Sequence, residues 1–327
     1  MANDHYVART FLQHFGDAEG RLHSYSKKKG GEYFSPWPND VCREWDGDLN
    51  PAIEGMPEML GEYRRLFEPK WNPVVEELNK RNADRSIRLL VALCFANMVT
   101  CVPAWRRVAA EQWQNMKSAE LRFKNIINQE RGIKDEGLEK GIAALEEGKI
   151  KLVADPDSIK AKMTGNLMGF ASLVYHSNFV FFENKTDIPF VTADNPVALQ
   201  LSDVLGEPMT RFMPITPKLG LVLKLDAWDR RKGGFPKEPK EIERLLEEEP
   251  RGKVFGNNPS PADVRGLNRL VVQCAEDQVF TCRKDEGIKA LVAKYGKYRI
   301  ESTPREYRES ATSLIHGFVI DVRPRSD

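Results

Sequence analysis

Two short segments of this 327-residue chain carry the side-chain types that acid–base chemistry needs. The first is His5, in Asn3-Asp4-His5-Tyr6-Val7. An imidazole titrates near neutrality, so it can take or give a proton or ligate a metal. Its competing role is a hydrogen bond at the start of the first helix. The second is Asp194-Asn195-Pro196, directly after the apolar run Pro189 to Thr192. Here Asp194 would orient His5 or hold a divalent metal, and Asn195 would donate hydrogen bonds to developing charge. The competing role is a turn, because Asp and Asn close Asx turns and Pro196 keeps Asn195 extended. Arg9, within the opening motif, and Glu68, at the head of a charge-rich helix, are candidate binding residues. So is Asn268, although an amide beside the apolar face carrying Leu267 has to find partners, and a structural network to a neighbouring loop is the stronger expectation.

No stronger motif competes with these. The chain lacks a phosphate loop, a dinucleotide Gly-x-Gly-x-x-Gly turn, His-Glu-x-x-His, Cys-x-x-Cys and a Gly-x-Ser-x-Gly elbow. Asp46-Gly47-Asp48-Leu49-Asn50 imitates the start of a calcium loop, but Pro51 stands where the sharp turn needs glycine and Pro57 where the bidentate acid belongs. No metal ligand set is assigned. His176 reads as a helix C-cap, and His14, His23 and His316 as surface residues. The basic pairs Arg64-Arg65 and Arg106-Arg107 read as solvated faces beside acids.

Composition narrows the function classes. The chain has 49 Lys and Arg against 48 Asp and Glu, a net charge of +1, which removes charge-based support for a nucleic-acid binder. Five scattered cysteines suit reduced thiols, and no basic n-region with an apolar h-region opens the chain, so the expected compartment is the cytoplasm. The longest apolar run, Leu89 to Val99, is interrupted by Asn97. As a helix it spans about 16 Å, roughly half a bilayer core, so it reads as a buried core helix. No membrane partner is expected.

The elements that must position the candidates follow from periodicity. Val7, Phe11 and Phe15 place a short amphipathic helix after His5. Residues 27 to 61 read as a long loop that packs Trp37 and Trp45. A helical stretch over 62 to 176 follows, including a helix opened by Asp157 or Ser158 with apolar positions from Ile159 to Val174. From Asn178 the period becomes strand-like. Residues 229 to 259 read as an exposed excursion. Ser260-Pro261-Ala262-Asp263 opens a capped helix, and Gly296 stops the next one. The class is α+β: a helical insertion packed on a small mixed or antiparallel sheet, with 62 to 176 as helical subdomain and 177 to 327 as a β-rich part.

Four ordered blocks resemble a bacterial family known as domain of unknown function 4238. The opening Asn3-x-His5-Tyr6-Val7-x-Arg9-x-Phe11-Leu12 is similar to its His-Tyr-Val-Pro start. Pro189 to Val197, Phe212 to Pro217 and Val264 to Asn268 resemble its later blocks. The resemblance implies one domain over 1 to 327. Departures are Ala8 for the motif proline and Ala193 for a serine, so no serine nucleophile operates there. The family carries no reaction with it. On the residues, the first expectation is a hydrolase of phosphodiester or similar bonds using His5, Asp194 and Asn195, with room for a divalent metal. The rival is a non-catalytic binding protein, with a protein partner or a second copy, acting in a bacterial defence or toxin system.

Overall fold

The computed structural model describes residues 3–200, 210–224, 254–310 and 313–325, with 240, 244 and 247. Most of the excursion expected over 229 to 259 lies outside them. The class is α+β, with helices packed against small antiparallel sheets.

The chain opens with β1 (Asn3–His5) and α1 (Arg9–Leu12), followed by β2 (His23–Ser26), β3 (Glu32–Phe34) and β4 (Arg43–Trp45). Strands β1 and β4 pair antiparallel with His5 opposite Arg43, so the first candidate residue sits on a two-stranded ribbon rather than on a helix. Residues 27 to 61 therefore contain strands as well as loop. The expected packing of both tryptophans does not occur: Trp45 is 69% exposed, and Trp37 is 43% exposed beneath the Arg21 guanidinium. The guanidinium carbon lies 4.5 Å from the ring centroid, a cation–π contact on one face.

The helices are α2 (Met59–Arg65), α3 (Trp71–Asn79), α4 (Arg85–Thr100), α5 (Pro103–Glu130), α6 (Glu136–Glu146), α7 (Pro156–Gly165) and α8 (Leu167–Tyr175). Asp84 caps α4 by accepting from the Ile87 N–H, which satisfies an orphan donor of the first turn. Every residue of α4 from Val91 to Val99 is buried, including Asn97, and α8 packs along it. Pro103 starts α5 after a 57° bend, and no single helix among the described residues is long and apolar enough to cross a membrane. The helix expected from Ile159 to Val174 is two helices, and its cap is Asp155 rather than Asp157 or Ser158. Asn166 ends α7 and begins α8.

Strands β5 (Asn178–Glu183), β6 (Thr192–Ala193), β7 (Ala198–Gln200), β8 (Thr210–Thr216) and β9 (Leu219–Lys224) follow. One sheet has the order β5-β9-β8-β7. After α9 (Pro261–Cys274), whose Ser260 and Asp263 form the expected capping box, comes β10 (Gln278–Thr281). It completes a second sheet, β3-β2-β10-β6, in which an N-terminal strand pairs with one from the far end of the chain. Lys27, at the end of β2, is buried and donates to the carbonyls of Val272 (2.8 Å), Ala275 (2.5 Å) and Tyr298 (2.7 Å). Those bonds satisfy acceptors around the C-terminus of α9, while burial brings the ammonium pKa down to about 8. Helix α10 (Glu286–Tyr295) ends at Gly296, whose φ is −58°. Glycine is needed there for room, since a Cβ would meet the Lys27 carbonyl oxygen at 3.2 Å. The long hairpin of β11 (Tyr298–Ser310) and β12 (Ser313–Pro324) ends the described chain.

Candidate functional site

A cavity of about 290 Å³ opens where β1, α1 and α2 meet. Three of the sequence candidates line it: His5 from β1, Arg9 from α1 and Glu68 from the turn between α2 and α3. Three residues missed as candidates join them, Thr10, Asp48 and Arg64, with Asn3, Asp4 and Asn39 completing the wall.

Arg64 corrects an expectation. Its neighbour Arg65 is exposed, but Arg64 is only 4% exposed, because α2 turns it inward against α4. There Nε donates to the Asn97 side-chain oxygen at 3.2 Å and Nη1 pairs with Asp48. The Asp48 amide donates in turn to Asp4 at 3.1 Å. Gly61 leaves the space this carboxylate occupies: a Cβ there would meet Asp48 Oδ2 at 3.3 Å. The stretch that imitated a calcium loop thus holds a guanidinium.

What distinguishes the cavity is how much unused hydrogen-bonding capacity gathers in it. His5 Nε2, Thr10 Oγ1, Arg64 Nη2 and Glu68 Oε1 are all buried without a partner. Buried polar atoms normally find partners, because each unpaired one costs about 1–3 kcal/mol. The largest cavity among those described, about 540 Å³ and lined by Gln13, His14, Asn72 and Lys218, holds no such atom. His14 Nε2 is there bonded to Asn72 at 3.0 Å.

The two titrating groups are displaced in opposite directions. The His5 ring is hydrogen bonded to the Pro38 carbonyl, but burial outweighs that bond and, with the charges of Arg43, Arg9 and Arg64, lowers its pKa below 6.5. A carbonyl only accepts, so the nitrogen facing it carries the proton of the neutral ring, and Nε2 keeps its lone pair. Burial raises Glu68 to about 7, with Arg64 opposing. The order of the two pKa values is therefore inverted relative to free side chains. Arg9 stands exposed at the mouth. Among the described residues, no three His, Cys, Asp or Glu side chains come together as a metal site requires.

The other candidates lie elsewhere. Asp194 lines a separate cavity of about 220 Å³ with Tyr6 and Gln278. Its carboxylate accepts from the N–H groups of Glu276 (2.9 Å), Asp277 (2.8 Å) and Gln278 (2.9 Å), yet complete burial raises its pKa to about 6. Asn195 is buried and donates to the Cys274 carbonyl at 2.9 Å. Asn268 accepts from the Val191 N–H at 3.1 Å and donates to the Pro189 carbonyl at 2.8 Å, which clamps that loop to α9. His5, Arg9 and Glu68 share a cavity; Asp194, Asn195 and Asn268 do not line it.

A family model described as a protein of unknown function (DUF4238) matches residues 3–285. The chain belongs to that family. The matched span contains the whole His5 cavity and the Asp194 region, and it ends before α10. No curated protein and no solved structure matches the chain.

Proposed function

We propose that the His5 cavity is an active site for hydrolysis of phosphodiester or similar bonds in an anionic substrate. One observation carries the reading: four buried polar atoms of four different side chains face a single cavity without partners. A ligand that reaches them supplies the missing hydrogen bonds.

The inverted pKa order assigns the roles. Between the two values the imidazole is neutral and the Glu68 carboxyl is protonated, so base and acid coexist in their working forms. Water attacks phosphorus and loses its proton to His5 Nε2. The bond to the leaving oxygen breaks, and that oxygen takes the proton of Glu68. Arg64 and Arg9 offset the charge that develops. Asp194 and Asn195 have no part in this scheme, since their hydrogen bonds go to backbone groups.

The test is a panel of chromogenic phosphodiesters against the wild type, His5→Ala and Glu68→Gln. General acid–base groups contribute about 10²–10⁴-fold each, so each variant loses at least that lower factor while keeping its fold. The base must be deprotonated and the acid protonated. Activity therefore rises through the depressed His5 pKa, below 6.5, and falls as pH passes about 7. Variants that fold and retain full activity in cells overturn the scheme in favour of a binding protein.

A further inference from the structure

We infer that the cavity selects a substrate group bearing a single negative charge, a phosphodiester rather than a terminal phosphate, and that Arg64 is the residue that recognises it. This rests on reading the cavity as the active site. Two guanidiniums and two carboxylates line it: Arg9 and Arg64, Asp4 and Asp48. Asp48 already neutralises Arg64. With Glu68 protonated, the one cation in the lining without an ion pair among the described residues is Arg9, which is open to meet one incoming charge while Asp4 opposes a second. A second negative charge would sit in a half-buried site opposite Asp4 and Asp48, where like charges repel strongly.

Recognition at the floor falls to Arg64 because its position is over-determined. Asn97, the polar interruption of the otherwise apolar α4, holds Nε, and Asp48 holds Nη1. Only Nη2 remains, buried and unpartnered, and one oxyanion oxygen is what it can accept as a partner. Guanidinium–phosphate bonds of this kind are directional as well as charge-assisted. The groups facing Glu68 are Arg64, Arg9 and Asp48, with Cys94 from α4. Ionisation of Glu68 adds a negative charge beside the bound anion, so affinity falls as pH rises.

Three small probes separate the charge states: dimethyl phosphate, a monoanion; methyl phosphate, a dianion above its second ionisation at about 6; and neutral trimethyl phosphate. Calorimetric titration at pH 7, where about half of Glu68 is protonated and methyl phosphate is mostly the dianion, is expected to show dimethyl phosphate bound at least about ten-fold more tightly than either of the others, a margin near 1.4 kcal/mol. Dimethyl phosphate binds more tightly still at pH 6, and Glu68→Gln reduces that pH difference to the part that protonation of His5 in the same cavity supplies. Arg64→Lys weakens binding about ten-fold, with its fold checked by thermal melting. Arg9→Gln, at the exposed mouth, weakens binding without threatening the fold. Methyl phosphate binding at pH 7 as tightly as dimethyl phosphate overturns the inference, as does no binding of any probe. A wild type that binds dimethyl phosphate selectively but hydrolyses no diester leaves the inference standing and removes only the hydrolase reading.

Discussion

The His5 cavity and the cluster around Asp194 are built from the same materials and behave in opposite ways. Each contains a carboxyl whose pKa burial has raised, Glu68 to about 7 and Asp194 to about 6. Around Asp194 most of the polar capacity is spent on backbone: three N–H groups on one carboxylate, a carbonyl on Asn195, a loop on Asn268, with Asn195 Oδ1 and Gln278 Oε1 left over. Around His5 one polar atom on each of four residues is left open. Residue type does not separate a polar clamp from a polar site. How much hydrogen-bonding capacity folding leaves open toward one cavity does, four residues around His5 against Gln278 alone in the Asp194 cavity.

The contrast breaks most visibly at Asp194. Asp194→Ala strips three part-buried N–H groups of their acceptor and is expected to destabilise the fold by about 3 kcal/mol; an unchanged denaturation midpoint would place Asp194 with the functional residues. Asn268→Ala frees the Val191 N–H and the Pro189 carbonyl, and roughly 2–3 kcal/mol of stability goes with them in the same urea titration. Glu68→Gln works the other way. A carboxyl whose folded pKa lies above its unfolded value loses stability as pH rises from 4.5 through about 7. Removing it should raise stability at pH 8 by roughly 2 kcal/mol and change little at pH 4, which melting at the two pH values would show. His5→Ala has the smallest expected effect on stability, about 1 kcal/mol, because it gives up one bond to the Pro38 carbonyl while its Nε2 has no partner to lose. A larger loss would move His5 into the structural class.

Part of this division was readable in the sequence. His5, Arg9 and Glu68 stood out by type and motif, and the Asn97 interruption of an apolar run was visible without its purpose. Arg64 was not, since a pair of arginines on a charged helix gives no sign of which one turns inward. That depends on α4 presenting Asn97 and on Asp48 arriving from the loop. Asp194-Asn195 looked catalytic because its partners lie 82 to 84 residues away, as backbone groups that carry no side-chain signature. Local signals fared best: the box at Ser260 starts α9 where expected, whereas the break at Asn166 is announced only by Gly165, a residue that helices also tolerate inside.

The sheet β3-β2-β10-β6 also sets an order of events during synthesis. Ser26 bonds to Asp277 across a sequence separation of 251. At ribosomal rates β2 therefore waits about 10–50 s for its neighbour to be made. The cavity walls come entirely from residues 3 to 68, so they emerge early. During that interval β2 presents an open edge, a surface on which nascent chains associate wrongly, and a fragment ending before β10 would keep it open permanently.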